Sequence, residues 1–174
     1  MTLGAWLIFA LALFTGCEKQ SVDAPPNIRI GDSVCDECNM IISDERWATA
    51  TIVEGPRGPE PRLFDDFNCQ VNYEVENPDL VVLGRWSHTH DSQQWLRTED
   101  ASFLMSLNLR TPMASNVAAF GSMSEANAAQ AELAGDVMSF DVAWKRLGFA
   151  GACCHSDTSD HGKDEPENTS GTSH

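Results

Sequence analysis

Neither end of this 174-residue chain can contribute to a folded core, which restricts the fold to the residues between them. Residues 155–174 contain no large apolar side chain, and we predict a disordered acidic tail over residues 153–174. Leu3–Phe14 form an apolar run that suits a signal-peptide core but is too short to cross about 30 Å of hydrocarbon as a helix. We therefore predict a signal peptide over residues 1–16 and a folded body over residues 28–152.

The residues after the apolar run indicate a lipid anchor. Phe14-Thr15-Gly16-Cys17 resembles a bacterial lipobox, in which the cysteine is acylated and becomes the mature N-terminus. Residues 17–27 are then a lipidated tether, and Glu18 in place of Asp is compatible with sorting to the outer membrane. An ordinary secretory signal with a chance cysteine is the alternative. Both interpretations place the mature chain in the bacterial periplasm, on the membrane in the first case.

The charge of the chain excludes some classes of partner. The sequence has 11 Lys and Arg against 26 Asp and Glu, a net charge of −15. Such a surface repels nucleic-acid phosphates and attracts cations or a basic face of a partner protein. The sequence shows no nucleotide-binding loop, no Ser-His-Asp arrangement and no carboxylate pair in a catalytic setting. We therefore predict a binding protein without catalytic residues, which is not an enzyme and does not bind nucleic acid.

The first half of the body predicts the order strand, strand, helix, strand. Trp47–Val53 alternates small and β-branched residues with the period of a half-buried strand, and a Gly- and Pro-rich loop follows it. Asp65 and Asp66 are candidate N-caps for the helix. The remaining elements are predicted at Arg62–Phe64 (strand), Phe67–Val75 (helix) and Leu80–Trp86 (strand).

The second half repeats this order in part, which suggests an internal duplication. Ser122-x-x-Glu125 forms a capping box, and Gly135 ends the helix that follows it. Thr98–Leu107 has acids in its first turn and apolar residues after them, which predicts a helix linking the halves. The other predicted elements are a strand at Val117–Phe120, a helix at Met123–Ala134, a strand at Asp136–Phe140 and a final helical turn through Trp144 and Leu147.

Cys35-Asp36-Glu37-Cys38-Asn39-Met40 is the most specific chemical motif in the chain. Thiolate and thioether sulfur are soft donors, so Cys38 and Met40 together favour Cu(I) over hard cations. In an extended backbone, positions i and i+2 point to the same side, and both sulfurs can then reach one ion. The motif therefore predicts a Cu(I) site.

Three other interpretations of the cysteines stay open. A thiol oxidoreductase needs a lowered thiol pKa at a helix N-terminus, whereas two acids between Cys35 and Cys38 are expected to raise the pKa of these thiols. A structural disulfide can join these two cysteines, or one of them to Cys69, although six cysteines less Cys17 leave an odd number. A four-sulfur zinc site needs a second pair such as Cys153-Cys154, and adjacent cysteines chelate a tetrahedral ion poorly.

Several motifs in order resemble the NosL family over residues 31–148. They are Cys35-x-x-Cys38-x-Met40, Phe64-Asp65-Asp66 followed by Cys69, His90-Asp91 with Trp95 and Ala101, and Thr111-Pro112-Met113 followed by Ala119-Phe120. Asn39 stands where the family often has Gly. The resemblance implies an α+β fold of two similar ββαβ units, at residues 28–92 with the metal site and at residues 93–152.

The function that the resemblance implies is that of a lipoprotein copper chaperone of denitrification. Members of this family accompany nitrous oxide reductase, so the expected role is periplasmic delivery of Cu(I) to the copper centres of that enzyme, through its membrane assembly machinery. Two other functions remain as alternatives. One is periplasmic thiol-disulfide exchange through Cys35 and Cys38, and the other is a metal scavenger or sensor that uses Cys153-Cys154-His155.

The same resemblance ranks the metal ligands. Cys38 and Met40 match the family motif and are the first candidates. Met113 is next, because the second unit is expected to bring it to face the first site, and core packing is its alternative role. Cys35 is a ligand, a partner in a protective disulfide, or a thiol held near the metal. His90 is the weakest candidate.

The remaining polar and sulfur-bearing residues of these motifs have simpler expected roles. Asp65 and Asp66 are expected to act as helix caps. Cys69 lies in the predicted helix among apolar neighbours and is expected to be a buried, inert thiol.

Overall fold

The structure is a computed structural model that describes the backbone of residues 19–154 and the side chains of residues 19–148. The predicted signal peptide, Cys17 and residues 155–174 lie outside this part of the chain. The strands are β1 Thr49–Gly55, β2 Gly58–Phe64, β3 Val82–His88, β4 Trp95–Arg97, β5 Ser102–Met105, β6 Val117–Phe120 and β7 Asp136–Ser139. The helices are α1 Phe67–Glu76, α2 Met123–Leu133 and α3 Phe140–Cys154. None of the helices within the described part has the length and apolar content needed to span a membrane.

Two antiparallel sheets confirm the predicted α+β class. Their strand orders are β2-β1-β3-β4 and β6-β5-β7. The runs β1-β2-α1-β3 and β5-β6-α2-β7 both have the order ββαβ, and in each the first strand lies between its antiparallel partner and the strand that follows the helix. β4 extends the edge of the first sheet, and α3 follows β7. The pairing of β1 with β2 runs from Thr49 opposite Phe64 to Gly55 opposite Gly58.

The first unit forms where the sequence predicts it, with shifted boundaries. Thr49–Val53 is buried throughout, because β1 is central in its sheet. Gly58 closes the hairpin with a φ of 119°, a conformation that L side chains rarely adopt. The N-cap of α1 is Asp66, whose side chain accepts a hydrogen bond from the Phe67 amide at 2.8 Å. Asp65, the other predicted cap, does not cap α1.

The helix predicted over Thr98–Leu107 is wrong. Only Thr98–Asp100 turns, as one 3₁₀ turn, and Ser102–Met105 is the central strand of the second sheet. Phe103 packs into one apolar cluster and Leu104 into another, since successive side chains of a strand point to opposite faces. A strand buried on both faces has no polar residue at every second position, so its sequence resembles that of a buried helix.

One apolar cluster holds the two units together. Phe67 of α1 stacks on Phe103 of β5, with ring centroids 4.7 Å apart, and meets the edge of Trp144 of α3 at 5.8 Å. Val71 and Ala143 complete the contact between α1 and α3. The units therefore share a core, and the first turn of α1 is fixed against the second unit.

The last strand and helix also differ in extent from the prediction. The strand predicted to end at Phe140 ends at Ser139, because Phe140 begins α3. The single helical turn expected near Trp144 is a helix of 15 residues that continues to Cys154. Its last two residues belong to the segment that we assigned to the tail.

Candidate metal site

A tight hairpin brings Cys35 and Cys38 together. Val34 bridges to Ile41, and inside this bridge the Cys35 amide donates to the Met40 carbonyl at 2.8 Å. The Asn39 amide donates back to the Cys35 carbonyl at 3.0 Å, which requires a left-handed turn at Asn39, with a φ of 61°. Asn and Gly tolerate this conformation best, so Asn39 can occupy the position where the family pattern often has Gly.

This turn contradicts the extended backbone that we expected between Cys38 and Met40. Because the intervening Asn39 is left-handed, the rule that positions i and i+2 share a side does not apply. Cys38 is half-buried, whereas the Met40 side chain is 56% exposed. Met40 therefore stands at the surface of the hairpin that carries the two thiols.

The start of α1 brings two further groups close to the hairpin thiols, the Asp65 carboxylate and the Cys69 thiol. The three sulfur atoms of Cys35, Cys38 and Cys69 and a carboxylate oxygen of Asp65 lie within 4.8 Å of one another. We call these four residues the thiol cluster. Asp65 Oδ1 is 3.5 Å from Cys38 Sγ and 3.4 Å from Cys69 Sγ, within hydrogen-bonding reach of both. All three cysteines of the cluster are free thiols.

The positions of Asp65 and Cys69 beside the hairpin thiols differ from the roles predicted for them from the sequence. Asp65 was expected to cap α1, but the cap is Asp66, and the Asp65 side chain turns to the thiols. Cys69 is buried, as expected, yet its sulfur is a full member of the cluster. Asp65 precedes the N-cap and Cys69 lies in the first turn of α1, so their nearness to the hairpin thiols depends on tertiary packing and has no signal in the local sequence.

The thiol cluster lies under an apolar cover and opens towards Cys38. Cys35, Asp65 and Cys69 are buried, and Cys38 is the member with partial exposure. The apolar residues packed around the cysteines include Ile42, Ala48 and Phe64, which are fully buried, and the half-buried Met113. An ion bound here would be shielded from water on most sides and would exchange through the Cys38 side.

The thiols differ in acidity because each has a different environment. Interaction with the Cys69 thiol, supported by surrounding backbone groups, lowers the pKa of Cys35 to about 7 despite its burial. Burial raises the pKa of Cys38 to about 11. The pKa of Cys69 is also raised, first by its interaction with Cys35 and then by burial. The expectation that the acids of the motif raise the pKa of both thiols is therefore wrong for Cys35.

We expect Cys35 to be the first thiol of the cluster to ionise. In the metal-free, reduced protein, ultraviolet thiolate absorbance should rise as the pH passes about 7 and should disappear again below it, since the deprotonated form is present above the pKa. The step should vanish in Cys35→Ser and persist in Cys38→Ser. Absence of any thiolate below the ordinary thiol pKa of about 8.5 would contradict this assignment.

The structure places the other predicted ligands, Met113 and His90, in different surroundings. Met113 packs, half-buried, against the apolar residues around the thiol cluster, a position that suits core packing as well as the predicted ligand role. The His90 ring instead lies against Trp47 at 5.1 Å and Phe120 at 5.7 Å, with Nδ1 2.7 Å from Asp91 Oδ1. Among the described residues, His90 does not belong to the group of ligand atoms around the thiols. The side chains of Cys153 and Cys154, and all of His155, lie outside the described part of the chain.

Comparison with known proteins gives a family match and a structural match. The model of the NosL family matches residues 28–145. A search of solved structures finds the crystal structure of the copper chaperone NosL from Shewanella denitrificans, with a TM-score of 0.53 and 14% sequence identity, covering 71% of this chain and 93% of that chain. At this identity, the structural match is evidence for the fold alone. No curated protein matches the sequence.

Proposed function

The chain belongs to the NosL family, and from this we propose that it is a copper chaperone that binds Cu(I) at the thiol cluster and releases it to a partner. Three thiols converge on one point, and this observation carries the proposal. Several soft sulfur donors with few hard donors suit Cu(I) better than a hard divalent cation. The role is binding and transfer, so no catalytic chemistry is proposed.

The opening at Cys38 suits a carrier of copper. Cys35 and Cys69 lie deep in the cluster, while Cys38 is partly exposed. A sulfur or imidazole of a partner can approach the ion from this side and displace the ligands one by one. The binding can then be tight while transfer remains fast, because the ion is never released into water.

We propose Cys38, Cys35 and Cys69 as the thiol ligands of Cu(I) and Met113 as a thioether ligand. The supporting observations are the mutual distances of the three sulfurs and the packing of Met113 against the apolar residues around the thiol cluster. Met40 is exposed on the hairpin and is proposed as a contact during entry or transfer. His90 remains a prediction from family resemblance, and its contacts with Trp47 and Phe120 give it no support as a ligand.

The thiol geometry favours binding over the alternative of thiol-disulfide exchange. An exchange enzyme needs its low-pKa thiolate to be accessible to the substrate disulfide. Here Cys35 has the lowered pKa but is fully buried, and the more exposed Cys38 has a raised pKa. The lowered pKa and the solvent exposure thus belong to different cysteines. This arrangement favours metal ligands over a nucleophile that attacks a disulfide.

The location and partner of this chaperone are proposed from the sequence. The apolar N-terminal run and Cys17 support export to the periplasm and anchoring as a lipoprotein in the outer membrane. Family membership supports nitrous oxide reductase and its assembly machinery as the destination of the copper. The common strand order of the two ββαβ units supports their origin by duplication.

The proposed function predicts a strong metal preference. Under anaerobic reducing conditions, the mature protein should take up one Cu(I) in competition with a chelator and should transfer it to metal-free nitrous oxide reductase. Zinc should not displace the bound copper, because Cu(I) is the softer ion and gains more from thiolate and thioether sulfur. A protein that holds zinc in preference to Cu(I), or holds neither ion, would contradict the proposal.

A further inference from the structure

The Asp66 carboxylate accepts more hydrogen bonds than a helix cap requires. Asp66 is 1% exposed, and its Oδ1 accepts the capping hydrogen bond from the Phe67 amide. Its carboxylate also accepts hydrogen bonds from the hydroxyls of Thr111 and Ser115 and from the amides of Met113 and Ser115, at 2.5 to 3.3 Å. Four of the five hydrogen bonds to its carboxylate therefore come from residues 111–115, in the loop between β5 and β6 of the second unit.

The loop at residues 111–116 has a conformation that needs external support. Ala114 and Asn116 both have positive φ angles, of 57° and 56°. A left-handed alanine is unfavourable because its Cβ crowds the backbone, and such a residue persists where the surrounding structure holds it in place. The convergence of hydroxyl and amide groups on the Asp66 carboxylate supplies that support, since hydrogen bonds to a charged acceptor are stronger than neutral ones.

The same contacts fix the backbone of Met113 at both ends. Its amide donates to Asp66 Oδ2 at 2.9 Å, and its carbonyl accepts from the Asn68 side-chain amide at 2.8 Å. Both partners lie at the start of α1, next to Asp65 and Cys69 of the thiol cluster. One short segment of chain thus carries half of the thiol cluster and also holds the loop that places Met113 against it.

We propose that Asp66 is a positioning residue that holds Met113 over the thiol cluster and so couples the second unit to the metal site. Asp66 does not touch the ion. It acts through the Met113 backbone, and its effect on copper is the effect of placing the thioether. This inference rests on the proposed function for its copper part, whereas the structural coupling between Asp66 and the loop does not depend on copper.

The structural part is tested in the metal-free protein. Asp66→Ser keeps a capping oxygen and removes the carboxylate, and the Met113 and Ser115 amides should then exchange hydrogen at least about tenfold faster. Ser122→Ala is the matched control, because it removes the cap of α2 and leaves the loop contacts intact. Where Asp66→Ser fails to fold, Thr111→Val removes one donor and should accelerate exchange of the same amides to a smaller extent. Unchanged exchange at both amides would overturn the proposal.

The copper part is tested by a double-mutant cycle. Asp66→Ser should weaken Cu(I) binding by about 10- to 100-fold, the usual range for an outer-sphere partner. In a Met113→Leu background the same change should have little effect, less than about threefold, because the group that Asp66 positions is already gone. X-ray absorption of the loaded Asp66→Ser protein should also show loss of the thioether contribution. An equal loss of affinity in both backgrounds would overturn the positioning role.

The two parts separate this inference from the proposed function. If the native protein takes up no Cu(I), the proposed function fails, and amide exchange at Met113 still decides whether Asp66 holds the loop. If the native protein binds Cu(I) but the cycle shows no coupling, the positioning role fails and the chaperone role stands.

Discussion

Replacing Cys38 with serine is expected to reduce Cu(I) affinity by at least about 100-fold, at the upper limit of what outer-sphere changes cause. A hydroxyl oxygen is a hard, neutral donor, whereas Cu(I) requires soft sulfur. Cys38 is also the partly exposed thiol of the cluster, so its loss removes the proposed ligand that an incoming partner would meet first. The measurement is anaerobic competition with a Cu(I) chelator.

Two further variants test which residues of the hairpin and of the thiol cluster hold the ion. Val34→Ala alters an exposed residue of the same hairpin without removing a sulfur, and it should bind Cu(I) like the native chain. Cys69→Ser should weaken binding if all three thiols hold the ion. If Cys69→Ser binds normally, Cys69 is the inert thiol that its sequence context suggested. A competition curve for Cys38→Ser that overlays the native curve would remove the metal site from this hairpin.

Replacing Phe103 with alanine is expected to lower the free energy of unfolding by about 3 to 5 kcal/mol. Phe103 is 1% exposed, lies in the central strand of the second sheet, and stacks on Phe67 of the first unit. Truncation leaves a cavity in the core that both units share, and a rigid β5 can close only part of it. Urea unfolding followed by tryptophan fluorescence measures the change.

Leu107→Ala is the matched control for this prediction. Leu107 follows β5 closely and is 91% exposed, so its truncation should change stability by less than about 0.5 kcal/mol. If Phe103→Ala costs as little as Leu107→Ala, the segment does not form the buried strand described here. The pair therefore also distinguishes the observed strand from the helix that the local sequence suggested.

Local patterns predicted most of the fold. Alternation in β1, the Gly- and Pro-rich break, the capping box of α2 and Gly135 each depend on residues close in sequence, and these elements form at nearly the predicted positions. The strand β5 was missed for a physical reason. Both faces of β5 are covered, so its sequence reflects burial and lacks the two-residue alternation of a half-buried strand.

The metal site was likewise predicted from local sequence only in part, and the rest depends on tertiary contacts. A spacing of three residues was enough to pair Cys35 with Cys38, because one tight turn brings them together. Cys69 and Asp65 join them only because the β1–β2 hairpin and α1 pack on that turn, 27 to 34 residues along the chain. Asp66 gave no indication in the sequence of its contacts with residues 111–115, which are 45 to 49 residues away.

The sequence by itself determined the soft-donor chemistry, the acidic surface and the order of most elements, since each depends on residue type or on neighbours within a few positions. The tertiary structure decided which sulfurs converge, which thiol ionises first and what holds Met113 in place. These properties depend on distances between segments and on exclusion of water. For the thiols they arise when the segments of the first unit pack together, and for Met113 when the second unit packs against the first.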